Sequence, residues 1–150
     1  MKGENGPLTI LVVDDDEDDR MIIARALQQH RGQIGVVAVN DGQEMVEYLR
    51  REGPYADARS YPRPALILLD LNMPRMNGME ALRLIKSDPE MRRIPVVILT
   101  TSDAEVDVKE AYNVGANAFV RKPVTFAGLR QALGQVSDFW FDVARRPLER

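Results

Sequence analysis

The run Ile10-Leu11-Val12-Val13-Asp14-Asp15-Asp16 decides how this chain is read. Four apolar residues followed by a stack of acids have the form of a parallel strand, near-continuously apolar because both of its faces are covered. Three further runs echo it. Leu66-Ile67-Leu68-Leu69 ends in Asp70, Val96-Val97-Ile98-Leu99 ends in Thr100, and a third short run closes in Val120-Arg121-Lys122-Pro123. Each time the polar residue comes where the strand stops. In an open α/β sheet the carboxyl ends of the strands form the ligand crevice. Three carboxylates, a hydroxyl and an ammonium therefore converge on one edge. That set suits a divalent cation and a phosphoryl group.

Working outward, strands and helices alternate five times. The first strand covers 8–13, and the acids 16–19 lead into a helix to about Gln29 with Ile22, Ile23, Ala26 and Leu27 on one stripe. A strand over 33–39 and the turn Asn40-Asp41-Gly42 precede a second helix with Met45, Val46 and Leu49 inward. Residues 52–64 have neither period and read as an unusually long loop. After the strand 65–69, the turn-rich stretch 72–78 opens a third helix with Ala81, Leu82 and Ile85 inward. Pro95 opens the strand 96–99. Ser102 or Asp103 caps a fourth helix ending near Gly115, and a strand covers 118–121. Thr125 caps the last helix, whose stripe is Phe126, Leu129, Leu133 and Val136. The pattern continues through Trp140 and Val143 to Pro147, which makes this helix unusually long. Such alternation implies an α/β fold, a parallel sheet wrapped by right-handed crossovers. The chain reads as one domain, 1–150, with its core at about 8–136 and a helical extension at 137–147.

The bulk numbers agree. The chain has 150 residues, 45% hydrophobic and 29% charged, as in ordinary globular proteins. A net charge of −3 supplies no general attraction to nucleic acid or anionic lipid. No apolar stretch approaches the roughly 20 residues of a membrane span, and the polar start, 1–7, is not a signal peptide. Zero cysteines exclude disulfides and thiol chemistry and fit the cytoplasm. One histidine, His30, excludes a His-rich metal site.

The chemistry follows from repulsion. Asp14, Asp15 and Asp70 at neighbouring strand ends disfavour one another's charge unless a cation neutralises them. A hard cation with oxygen ligands, Mg²⁺ foremost or Mn²⁺, fits that need. Asp70 then stands as a nucleophile beside a Lewis acid, and its attack on a phosphoryl donor gives an acyl phosphate. Lys122 offsets further negative charge, the Thr100 hydroxyl donates to a phosphoryl oxygen, and backbone N–H groups complete the cradle. Each acid taken alone is more simply a helix N-cap, and 16–19 are read mainly as first-turn acids favoured by the helix dipole.

Taken together, Val13-Asp14-Asp15, Leu69-Asp70-Leu71-Asn72-Met73-Pro74 with Asn77-Gly78, Leu99-Thr100 and Lys122-Pro123 resemble the motifs of response-regulator receiver domains of two-component signalling. The resemblance covers about 8–136. It implies a flavodoxin-like, doubly wound five-stranded parallel sheet in order 2-1-3-4-5, with five helices on both faces. It implies that Asp70 accepts phosphate from a phosphohistidine of a sensor histidine kinase. It implies that Asp15, Asp70 and the Asn72 backbone carbonyl bind Mg²⁺, with Asp14 acting through water. It also implies a cis bond at Lys122-Pro123, and a switch in which Thr100 moves toward the phosphoryl group while Phe119 turns inward.

Two positions depart from the family pattern. Phe119 lacks the hydroxyl of the tyrosine often found there, and Thr101 is bulkier than the usual small residue, which narrows access to the phosphoryl group. No output domain is expected after the last helix. The long loop and the aromatic tail resemble small single-domain regulators partnered with bacterial phytochrome-type histidine kinases. Phe139, Trp140 and Phe141 cannot all face one helix side, so a homodimer seam is expected of them. The sequence leaves the downstream protein unnamed. Two other functions compete with this one. A haloacid-dehalogenase-type phosphatase wants a general acid where Asn72 stands. A phosphorylation-independent interaction module has no need of the five active-site residue types.

Overall fold

The computed structural model describes residues 8–147. Five strands form one parallel sheet: β1 (Thr9–Val13), β2 (Gly35–Val39), β3 (Leu66–Leu69), β4 (Val96–Thr100) and β5 (Ala118–Arg121), in the order β2-β1-β3-β4-β5. The three central strands are buried along their whole length, while β2 and β5 form the part-exposed edges. That difference is why the central runs are continuously apolar.

Side-chain alternation splits the core into two. Leu11, Val13, Ile67, Leu69 and Ile98 face α2 (Gly42–Leu49), α3 (Gly78–Ser87) and α4 (Glu105–Val114). Ile10, Val12, Leu68, Val97 and Leu99 face α1 (Glu17–His30) and α5 (Phe126–Asp138). Leu82 and Ile85 are fully buried in the first core, so truncating either to alanine costs about 2–5 kcal/mol.

Helix starts are set chemically. The side chains of Asp16, Asp41, Asn77 and Thr125 each accept a first-turn N–H, and Asn77 forms a reciprocal box with Glu80. Neither Ser102 nor Asp103 caps α4. The cap position is Ala104, because the Ser102 hydroxyl donates to Asp107 and Asp103 pairs with Arg121.

Two inward stripes are narrower than expected. Ile22 is 40% and Phe126 41% exposed. Ile23, Ala26 and Leu27 carry the α1 stripe, and Leu129 and Leu133 carry that of α5. Phe126 lies instead beneath the Arg130 guanidinium. The loop after α2 contains one 3₁₀ turn, Gly53–Tyr55, and is anchored by a cluster of Tyr48, Tyr55 and Tyr61 rings. The Tyr48 hydroxyl donates to the Pro62 carbonyl and the Tyr55 hydroxyl to Glu44.

The last helix stops earlier than Pro147. After Asp138 it widens into one π-helical turn, Phe139–Val143, and turns extended at Ala144. The turn is held from two sides. The Arg146 Nε–H takes the Trp140 carbonyl at 2.9 Å, and the Ala144 N–H closes back on the Phe139 carbonyl. Arg31, just past α1, binds Asp138 and Asp142 together. The Arg31 and Arg146 guanidiniums both lie against the Phe141 ring. Phe141 and Trp140 thus pack on this domain's own second core, whereas Phe139 and Val143 remain exposed. No helix of the described residues is long and apolar enough to cross a membrane.

Candidate active site

The sheet ladder delivers the site residues in register. The Asp14 N–H continues it to the Val39 carbonyl, the Asp70 N–H to Val13 and the Lys122 N–H to Thr100. Four strand ends therefore meet at one edge, as the apolar runs require. Asp14, Asp15 and Asp70 each place a carboxylate oxygen within 4.8 Å of the others. Asp14 and Asp70 are buried and Asp15 is exposed. Oxygen donors of this kind, two walled in and one open to solvent, fit a divalent cation such as Mg²⁺ or Mn²⁺ that keeps part of its water.

Lys122 enters the same space with its side chain only 11% exposed. Its Nζ lies 2.6 Å from Asp14 Oδ2, 3.0 Å from Asp19 Oδ2 and 3.7 Å from Asp70 Oδ2. Burial alone would lower the lysine's pKa. The hydrogen bonds to Asp14 and Asp19, with the charges of Asp70 and Asp14, outweigh it and hold the ammonium above its ordinary value. Burial pushes the Asp14 carboxyl up, against the pull of Lys122 and of the Asp16 N–H on its Oδ1. A buried acid in that condition is prepared for a cation.

Asp70 receives the Asn72 N–H at 3.3 Å. The loop that follows is held down at several points. Arg75, in the left-handed region at φ 59°, is fixed by the buried Asp41 carboxylate at 2.7 Å. The Gly42 N–H bonds the Met76 carbonyl. Gly78 has no room for a side chain, since a β-carbon there would lie 2.1 Å from the Asp70 carbonyl oxygen. That approach explains the Asn77-Gly78 signature physically: α3 starts directly against the strand end that carries Asp70.

Thr100 is fully buried at the end of β4, and Thr101 after it is exposed. Phe119 is half-buried against the core on the α2–α4 side, with its N–H on the Tyr112 hydroxyl. The described peptide bonds are all trans, including Lys122-Pro123, contrary to the cis bond expected from the resemblance. The trans form is the ordinary preference of X-Pro bonds, by about 0.5–1 kcal/mol. Phe139, Trp140 and Phe141 lie at the end of α5, in a region apart from this cluster.

Asp19 and the Asp41–Arg75 pair are not legible as site residues in the sequence. Asp19, by position a first-turn acid, accepts a hydrogen bond from Lys122. Its place three residues after the N-cap Asp16, on a helix starting at the crevice, was the available signal. The Asp41–Arg75 pair joins residues 34 apart in the chain and had none.

Comparison with known proteins agrees with this geometry. Response regulator Rcp1 of Synechocystis sp. is 34% identical over 143 residues, covering 95% of each chain. The phosphorylated cyanobacterial phytochrome response regulator RcpA superposes with a TM-score of 0.88 at 41% identity, over 95% of this chain and 99% of that one. The Mn²⁺-bound form of Rcp1 gives 0.83 at 34% identity, over 94% and 99%. The family model of the response regulator receiver domain matches residues 10–134, and with the acid cluster, the buried lysine and the 2-1-3-4-5 sheet in place, the chain belongs to that family.

Proposed function

We propose that Asp70 takes a phosphoryl group from the phosphohistidine of a sensor histidine kinase and that the protein signals by a resulting change of partner or dimer surface. The observation that carries this is the Lys122 ammonium, buried between Asp14 and Asp70 beside the open carboxylate of Asp15. An Asp70 oxygen attacks phosphorus, the P–N bond breaks, and its electron pair returns to the imidazole. Asp15, Asp70 and the Asn72 backbone carbonyl would hold Mg²⁺ or Mn²⁺, with Asp14 acting through water. The cation supplies charge neutralisation at the phosphoryl oxygens. Lys122 takes one phosphoryl oxygen and the Thr100 hydroxyl another. Movement of Thr100 lets Phe119 settle deeper, which reshapes the surface of α4 and β5.

The chain acts in this reading as a phosphoacceptor in the cytoplasm, with slow self-dephosphorylation at most, and 1–150 is one receiver domain. Exposed Met21, Ile22, Val124 and Phe126 offer apolar surface on α1 and around the start of α5 to the kinase. Similarity to proteins named as phytochrome response regulators supports a phytochrome-type kinase. A homodimer would use the exposed Phe139 from the tail trio, with Trp140 edge-on against its ring and Phe141 holding the tail on the second core. The downstream partner is a protein. Incubation with a small acyl-phosphate donor tests the reading: the label must require Mg²⁺, be released by hydroxylamine and be lost in Asp70→Asn. A hydroxylamine-resistant label contradicts it.

A further inference from the structure

Lys122 Nζ has three hydrogens and three carboxylates around it. Two are within hydrogen-bond distance, Asp14 and Asp19, while Asp70 stands at 3.7 Å. The ammonium is thus drawn toward α1 and away from the oxygen that takes the phosphoryl group. Asp14 belongs to the cation site. Asp19 has no part in the cation cluster, yet holds the lysine at 3.0 Å. Its own backbone N–H is pinned by the Asp16 carboxylate at 3.0 Å, so its position is fixed by the helix cap.

We propose that Asp19 is a positioning residue that competes with the phosphoryl group on Asp70 for the Lys122 ammonium, and so sets the rate at which Asp70 is phosphorylated. This rests on the reading of Asp70 as the phosphoacceptor. A phosphoryl group arriving at Asp70 offers new oxygens to Nζ. Closing the 3.7 Å gap toward them loosens the contact on the α1 side, because the lysine stem is anchored at the end of β5. Asp14 sits deep in the site, with its Oδ1 held by the Asp16 N–H. Asp19 is 42% exposed, so it is the contact that gives way most readily, and water repairs its lost bond.

The test compares Asp19→Asn with Asp18→Asn, which removes the same charge from an exposed position one residue away. Both are phosphorylated with acetyl phosphate at saturating Mg²⁺. A partly exposed ion pair is worth little, so the expected rise in rate for Asp19→Asn is about two- to fivefold. Asp18→Asn should leave the rate near that of the wild type, and Asp19→Glu should restore it. In a Lys122→Gln background, Asp19→Asn should change nothing. The Lys122 Nζ resonance should shift in metal-free Asp19→Asn and stay in Asp18→Asn. Equal acceleration by both variants would reduce the effect to bulk charge and overturn the proposal, as would a slower Asp19→Asn or an unmoved Nζ resonance. Asp70→Asn runs alongside: wild-type labelling that survives in it overturns the phosphoacceptor reading itself, whereas Asp70-dependent labelling insensitive to Asp19→Asn overturns only the role of Asp19.

Discussion

Gly78 and Asp70 meet backbone to backbone: a β-carbon on the glycine would stand 2.1 Å from the aspartate's carbonyl oxygen and 2.6 Å from Leu71 Cα. Both obstructing atoms are main chain, so neither can rotate away. Gly78→Ala should therefore cost at least the roughly 1–3 kcal/mol of an overpacked core, and displace the strand end bearing Asp70. Urea unfolding measures the first effect and phosphorylation rate the second. A variant with wild-type stability and rate would show that α3 stands further from β3.

Cation binding should depend on pH with a defined sign. The Asp14 pKa lies above its ordinary 3.8 in the folded protein. Its contribution to stability is complete below 3.8 and is lost as pH rises through the raised value. Mg²⁺ requires the carboxylate and relieves its repulsion with Asp70. The Mg²⁺-induced rise in thermal midpoint should therefore grow as pH rises from 3.8 through the raised value. Asp15→Ala should lose most of that rise. An equal shift in wild type and Asp15→Ala places the cation elsewhere.

The tail separates two roles. Arg31→Ala removes the clamp on Asp138, Asp142 and Phe141 and should lower monomer stability by about 1 kcal/mol, most of it lost packing against the ring. Phe139→Ala touches a half-exposed ring and should leave stability within about 0.5 kcal/mol while weakening self-association. Sedimentation and thermal melts on the same samples decide it. A wild type that is monomeric at every concentration tested contradicts the dimer. Cutting after Ser137 is a less selective test, because it also strips Trp140 and Phe141 from the second core.

Much of this could be read before any coordinates. The strand ends of β1, β3 and β4 were found because buried parallel strands write continuous apolar runs, and a polar residue marks each stop; the shorter edge run of β5 was marked by Lys122-Pro123. Asp16, Thr125 and Gly115 marked helix ends for equally local reasons. What escaped depends on partners distant in sequence. Ile22 and Phe126 fit a helical stripe by spacing, yet they stay 40% and 41% exposed, because burial depends on what packs opposite. The π turn arises from Arg31, over a hundred residues upstream, and from Arg146 beyond it. Asp19 looked like any first-turn acid until Lys122 arrived beside it.

Asp70→Asn should keep the fold. It removes one member of a repelling trio, so its thermal midpoint without Mg²⁺ should equal or exceed that of the wild type. A marked fall would contradict the repulsion argument.

Intact-mass measurement after incubation with acetyl phosphate and Mg²⁺ bears most directly on the central claim. The wild type should gain one phosphoryl group, lose it on hydroxylamine treatment, and gain none when Mg²⁺ is chelated, while Asp70→Asn remains unmodified throughout. A wild type that stays unmodified, or an Asp70→Asn protein that gains the same mass, would contradict the assignment of Asp70 as the phosphoacceptor.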